Sequence, residues 1–283
     1  MTRALDRNAP IGVFDSGLGG LTVAHAIMRQ LPGESLVYFG DTARVPYGPK
    51  SPETVRRYSH EIAAFLIEQG VKAVVVACNT ATAHALPMLD AELDVPVLGV
   101  VGPGARAAVR ATKSGRIGVI GTEGTIKSGA YVRAIHAESP AAIVTALACP
   151  LFVPLVEEGW TESDATRIIA TEYLAPFRSA EVDTLVLGCT HYPLLKRVIG
   201  ETIGRSVRLI DSAEETAADT LHMLHEHDLT STQHEGTYRF IASDDPQQFL
   251  RLGQRFFRRR AQACGDSYLR LIRPTSGARS VPA

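Results

Sequence analysis

The chain is poor in the residues that staple or mark specialised proteins. Its 283 residues include four cysteines, Cys78, Cys149, Cys189 and Cys264, and one tryptophan. The cysteines are too dispersed for a disulfide framework, and no C-x-x-C pair offers a zinc or redox site. Long apolar runs are missing as well. Val74 to Cys78 and Val95 to Val101 are short against the roughly 20 residues needed to cross a bilayer. Neither sign of charge is in excess, with 29 Lys plus Arg against 30 Asp plus Glu. That balance gives no electrostatic case for a nucleic acid or an acidic membrane surface, so neither partner is expected. The opening MTRALDRNAP has no apolar stretch of a secretory signal, which points to the cytoplasm.

Short apolar runs alternate with longer amphipathic segments. Strands are expected at Ile11 to Asp15, Leu36 to Phe39, Lys72 to Ala77, Val95 to Gly99, Arg116 to Ile120, Ile143 to Leu147, Thr184 to Leu187 and Val207 to Ile210. Lys72 to Ala77 (KAVVVA) centres on a continuous β-branched run, Val74 to Val76, as a strand covered on both faces should. Ser51 as N-cap, Pro52 at the first helical position and Gly70 past the end bound one intervening helix. The fold class is therefore α/β, with mostly parallel sheets flanked by helices.

The sequence also resembles itself. IGVFDSGLGG at Ile11 is echoed by IGVIGTEGT at Ile117, and AVVVACNTAT around Cys78 by LVLGCTHYP around Cys189. The offsets, 106 and 111 residues, are nearly equal. Two similar lobes are expected, with an active site in the cleft between them. Residues 1–98 plus 209–270 would form the first, and 99–208 the second. From Arg251 onward eight arginines meet one acid, Asp266. Phe249, Leu252, Phe256 and Phe257 have helical spacing there, and 271–283 reads as a flexible tail.

Ligands of open parallel sheets bind beyond the carboxyl ends of the strands. Those ends carry Asp15 and Ser16, then Pro46, Tyr47 and Gly48, then Cys78, Asn79 and Thr80. Thr122 and Thr125 follow in the second half, and then Cys189, Thr190 and His191. A thiol beside a helix start is expected to be favoured as thiolate. Asn79 and Thr80 also read as a helix N-cap, and Gly17, Gly19 and Gly20 as turn residues with positive φ. Glu157 is a carboxylate in an otherwise apolar stretch and is expected to face a cleft. His222, His225 and His227 decorate the end of a helix and suggest no metal, and DSGLGG is not a dinucleotide fingerprint.

In order, DSGLGG, DTARVPYG, ACNTATA, GTEGTIKSGAY, PLFVPLVEEG and LGCTHYPLL resemble the cofactor-independent aspartate/glutamate racemase family. His after the second Cys-Thr is the mark of its glutamate branch, where the aspartate branch would carry Glu. The resemblance covers about Ile11 to Phe257. It implies racemisation of L- and D-glutamate without cofactor or metal, D-glutamate supply to peptidoglycan synthesis, and a homodimer. Inversion of an α-carbon requires a base on one face and an acid on the other, and two thiols supply the pair. The resemblance implies that Cys78 acts on D-glutamate and Cys189 on L-glutamate. Asp15 would assist Cys78, and His191 with Glu157 would assist Cys189. Substrate carboxylates would be held by Ser16, Asn79, Thr80, Thr122, Thr125 and Thr190, the ammonium by Asp15, and the side-chain end by Pro46, Tyr47 and Gly48. From the residues alone, an amino-acid-binding clamp and a thiol redox enzyme stay open as alternatives.

Overall fold

The computed structural model describes residues 5–245 together with Gln247, Phe249 and Gly253. The arginine-rich segment, Leu252, Phe256, Phe257 and the 271–283 stretch lie outside the described residues. Chain order is β1 (Ile11–Asp15), α1 (Leu21–Gln30), β2 (Leu36–Gly40), α2 (Pro52–Glu68), β3 (Ala73–Val76), α3 (Asn79–Glu92) and β4 (Val97–Gly99). Then come α4 (Val101–Ala111), β5 (Arg116–Gly121), α5 (Glu123–Lys127), α6 (Ala130–Glu138), β6 (Ile143–Ala148), α7 (Phe152–Glu157) and α8 (Asp164–Ser179). The chain continues with β7 (Thr184–Gly188), α9 (Lys196–Ile203), β8 (Arg208–Ile210), α10 (Ser212–Glu226) and β9 (Tyr238–Ala242). None of these helices is long and apolar enough to cross a membrane.

Among the described residues the strands form two sheets, ordered β4-β3-β1-β2-β9 and β6-β5-β7-β8. Every pairing is parallel, as buried β-branched strands joined by helical crossovers require. The strand at Tyr238–Ala242 was not expected. Its sequence, YRFIA, places an arginine inside a short apolar run, and only Phe240 and Ala242 are buried. Pairing with β2 and stacking of Phe240 on Tyr38, with ring centroids 6.0 Å apart, draw it into the sheet. Phe249 also packs against Tyr38, with ring centroids 6.1 Å apart.

Pleating sorts each strand between two cores. Ile11 and Val13 face one cluster and Phe14 the opposite one. The first cluster also takes in Leu185 and Leu187 of the second sheet, so one continuous apolar body lies under both. Helix α2 begins as expected: Ser51 Oγ accepts the Thr54 N–H at 3.3 Å, and Pro52 follows. Gly70 ends it with φ of 75°.

Register decides which residues emerge together. Asp15 lies level with Gly40, and the Ala77 N–H bonds to the Phe14 carbonyl, so Asp15, Asp41 and Cys78 leave the first sheet at one edge. In the second sheet Gly121 is level with Ala148 and Gly188, which delivers Thr122, Cys149 and Cys189 side by side. The opposite edge of the first sheet is locked by a buried ion pair. Lys72 Nζ lies 2.5 Å from Glu34 Oε2, and the Ser231 N–H donates to Glu34 Oε1 at 2.7 Å. Burial pulls the Lys72 pKa down against the opposing pull of Glu34.

Removing one member of such a pair strands a buried charge. Glu34→Ala is expected to cost about 3–5 kcal/mol, and Lys72→Met with Glu34→Leu to recover most of that loss. Urea unfolding midpoints of the two variants measure it, and equal losses in both would contradict this account.

Candidate active site

The N-terminal constellation is built on β1, β3 and the turns after them. Asp15 is fully buried and accepts the Gly17 N–H at 2.9 Å. Burial raises its pKa, opposed by His191 and by the Gly20 and Gly17 amides. Cys78 Sγ donates to Ser16 Oγ at 3.6 Å. It also accepts the Ala81 N–H at 3.4 Å, which makes the sulfur itself the cap of α3. Asn79 and Thr80 are therefore not the cap, and their side chains are free to turn elsewhere. The expected ease of thiolate formation does not hold either. Burial first, and Asp15 second, push the Cys78 thiol from 9.0 to about 12, and the cap bond only softens this.

The glycines of DSGLGG serve close approach, not positive φ: none of Gly17, Gly19 and Gly20 is among the residues with positive φ. A Cβ on Gly19 would lie 2.1 Å from Thr190 Oγ1, and one on Gly20 would lie 2.5 Å from Asp15 Cβ. Bare backbone there lets the C-terminal constellation reach the N-terminal one.

That second constellation follows β7. Cys189 and His191 are buried, with Sγ 3.9 Å from Nδ1. His191 Nε2 lies 3.2 Å from Glu157 Oε1, at the end of α7. Burial alone would lower the His191 pKa, but Cys189 and Glu157 outweigh it and carry it to about 10. Both partners therefore favour the protonated ring. No helix starts at Cys189, contrary to expectation. A turn intervenes, followed by a short 3-10 segment from Tyr192 to Leu195, before α9 begins. Thr190 Oγ1 donates to Asp15 Oδ1 at 3.4 Å, so Asp15 touches both constellations.

A second bridge is made of hydroxyls. Thr80 lies 2.8 Å from Thr122 and 3.2 Å from Thr125, and Thr122 lies 3.0 Å from Thr125. Beside it the Gly124 N–H donates to the Gly48 carbonyl at 2.9 Å, and His84 Nε2 donates to the Gly124 carbonyl at 3.1 Å. Asn79 Oδ1 accepts the Tyr131 hydroxyl at 2.7 Å. Asn79 Nδ2 is buried with no hydrogen-bond partner, a donor available to a ligand.

Most of the expected site residues therefore meet. Two are placed differently. Tyr47 is buried, but its hydroxyl donates to Asp41 Oδ2, which also accepts from Arg44, so the ring pins the loop from behind. Burial, followed by Asp41, raises that phenol's pKa. Pro46, after a cis Val45–Pro46 bond, is exposed. Tyr131, His84 and Gly124 went unrecognised. Gly124 and Tyr131 lie within the GTEGTIKSGAY motif and His84 just after ACNTATA, but the bond each makes is to a residue of the other half and is not readable from the local pattern.

Residues 11–220 match the family described as Asp/Glu/Hydantoin racemase. A protein named glutamate racemase from Geobacter metallireducens is 58% identical over 247 residues, covering 87% of this chain and 92% of that protein. The crystal structure of glutamate racemase isoform RacE1 from Bacillus anthracis superposes with a TM-score of 0.86 at 43% identity, covering 89% of this chain and 94% of that one. Glutamate racemase from Francisella tularensis, crystallised with D-glutamate, gives 0.86 at 36% identity, covering 95% and 98%.

The Gly19 contact makes the junction testable. Gly19→Ala is expected to wedge the two constellations apart and speed iodoacetamide alkylation of Cys78 and Cys189. An opening easier by about 1.4 kcal/mol gives roughly a tenfold increase. Mass spectrometry of the modified peptides measures it, and unchanged rates would show that the contact does not hold the junction shut.

Proposed function

The chain belongs to the Asp/Glu/hydantoin racemase family, and from that premise we propose that it interconverts L- and D-glutamate with two cysteines and no cofactor. The observation that carries this reading is the place of Asp15. One buried carboxylate accepts from Thr190, beside Cys189, and acts electrostatically on Cys78. Two thiols from separate sheets thus share one enclosed neighbourhood, as removal and return of a proton on opposite faces of one carbon require. The complex of the Francisella relative with D-glutamate supports the choice of substrate.

In one direction Cys78, as thiolate, takes the α-proton from D-glutamate while the Cys189 thiol donates to the opposite face. In the other direction the roles reverse. The α-hydrogen is far less acidic than an ordinary thiol, so a strong base is needed. The high Cys78 pKa provides one: a thiolate that is costly to form in this buried place binds a proton strongly once formed. The two sides differ in how charge is managed. On the Cys189 side the His191 imidazolium, steadied by Glu157, sets a positive charge 3.9 Å from the sulfur. On the Cys78 side Ser16 and the Ala81 amide offer only neutral donors.

Substrate carboxylates are held by neutral donors, with Asn79 Nδ2 and the threonine hydroxyls foremost. Asp15 takes the ammonium, and the Tyr47–Gly48 backbone lines the side-chain end. The sheet β4-β3-β1-β2-β9 and the sheet β6-β5-β7-β8, each with its helices, act as the two jaws of this cleft, and the expected boundaries shift to keep Gly99 with the first sheet and Leu209 and Ile210 with the second. The same reading, on resemblance alone, carries a cytoplasmic homodimer that supplies D-glutamate to peptidoglycan synthesis.

Cys78→Ala and Cys189→Ala are each expected to lower racemisation by about 10²–10⁴-fold, followed by circular dichroism of L- and D-glutamate with aspartate as control. Full activity in either variant would remove the two-cysteine mechanism. The His191 charge adds a pH test. Its pKa is raised, so the proton is held through neutrality and lost as pH climbs toward about 10. The L-to-D rate is expected to fall across that limb, and Glu157→Gln to move the fall to lower pH. A limb that stays in place in Glu157→Gln would separate Glu157 from the His191 proton.

A further inference from the structure

An amide side chain has two ends of opposite character, an oxygen that accepts and an NH2 that donates, and a half-turn about its last torsion exchanges them. At Asn79 one neighbour makes the choice. The residue follows Cys78 at the start of α3 and is buried. Its Oδ1 accepts the Tyr131 hydroxyl at 2.7 Å, while Nδ2 has no hydrogen-bond partner among the described residues. A phenol is a donor at neutral pH, and burial raises the pKa of this one further, opposed by a hydrogen bond from Ser212. With the oxygen engaged, the end left for a guest is the donor.

Tyr131 is held in place from several sides. It sits on α6, beside the second sheet, and its ring is buried in one apolar cluster with Val101, Ile135 and Val186. Two glycines make room for it. A Cβ on Gly104, in α4, would lie 3.2 Å from the Tyr131 hydroxyl oxygen and 3.3 Å from Ser212 Cβ. A Cβ on Gly188 would lie 2.7 Å from the Ile120 carbonyl oxygen and 3.0 Å from Tyr131 Cε2. Gly188 ends β7, immediately before Cys189. The ring therefore rests on the strand end that carries one thiol, and its hydroxyl bonds to the residue beside the other. Phenylalanine would fill the same cradle without a hydroxyl to satisfy, so the oxygen is there for the bond it makes.

From this arrangement we infer that Tyr131 is a positioning residue: by engaging Asn79 Oδ1 it keeps Nδ2 as the end of the amide offered to a carboxylate of the bound amino acid. The inference rests on the proposed glutamate reading for the identity of that guest. Its effect is exerted through Asn79. Without the hydroxyl the amide is free to turn, and Oδ1 facing a carboxylate would repel it. The same setting sorts the groups of the guest, because a donor accepts a carboxylate and leaves the ammonium to Asp15.

Isothermal titration with glutarate tests this. Glutarate has the carbon chain and both carboxylates of glutamate but no ammonium, and it cannot racemise. Wild-type protein is expected to bind it, and Tyr131→Phe, which keeps the ring in its cradle, to bind roughly tenfold more weakly. Asn79→Ala is expected to lose about as much. The double variant separates positioning from packing, because a residue that acts through Asn79 adds no further loss once Asn79 is gone. With D-glutamate as substrate, KM is expected to rise about tenfold in Tyr131→Phe while kcat changes far less. Melting temperatures check that the variants fold. Absence of glutarate binding by wild type, or equal binding by Tyr131→Phe, overturns the assignment. Losses that add in the double variant overturn it too, since they would mark Tyr131 as packing alone. The titration reads Tyr131 whether or not the protein racemises glutamate, so failure of the proposed reaction and failure of this role show separately.

Discussion

A carboxylate with no exposed surface must find its partners inside the protein, and the demands of Asp15 organise the site around it. The Gly17 amide answers from its own loop, and Thr190 and the His191 charge answer from the other sheet. Burial raises the free energy of the charged form, and the partners lower it. The two sheets are thereby held at bonding distance. The bare glycines at positions 19 and 20 follow from this, because any side chain there would displace Thr190 or Asp15 itself. Burial and the neighbouring Asp15 charge together push the Cys78 thiol's pKa up.

Two kinds of contact cross between the sheets, and they differ in permanence. Beneath the site the shared apolar body joins Val13 and Tyr38 to Leu185 and Leu187, burial that is lost only on unfolding. Above it the bridge is a handful of hydroxyl and amide bonds, each contributing on the order of 1 kcal/mol net. Opening at the upper seam is therefore far easier than separation at the base. A hinge-like motion follows from that gradient, with the fold intact while the mouth parts.

Much of this was legible in the chain itself. β-branched runs such as AVVV at Ala73 to Val76 mark the strands, and side chains just past those runs must emerge at the carboxyl edge. Asp15, Cys78, Asn79, Thr122, Cys189 and His191 could be picked out because their positions follow from local pattern. Glu157 stood out as a charge in an apolar stretch. What stayed hidden depends on tertiary partners. The Tyr131 bond to Asn79 and the His84 bond to Gly124 connect residues 52 and 40 positions apart. β9 becomes a strand because Tyr38 and β2 receive it, not because YRFIA insists on it. Local chemistry also misled. The helix start beside Cys78 suggests an easily formed thiolate, whereas desolvation dominates once the residue is enclosed.

The triangle of Thr80, Thr122 and Thr125 leaves these hydroxyls satisfied by one another. A guest's carboxylate entering here competes with the host's own oxygens, so it swaps bonds more than it gains them. On the proposed function, affinity drawn from this corner would be modest, which would favour quick departure of a product that differs from the reactant only in handedness. Discrimination need not suffer. A guest that parts the triangle without replacing what it breaks leaves buried hydroxyls wanting, a penalty larger than any single bond gained.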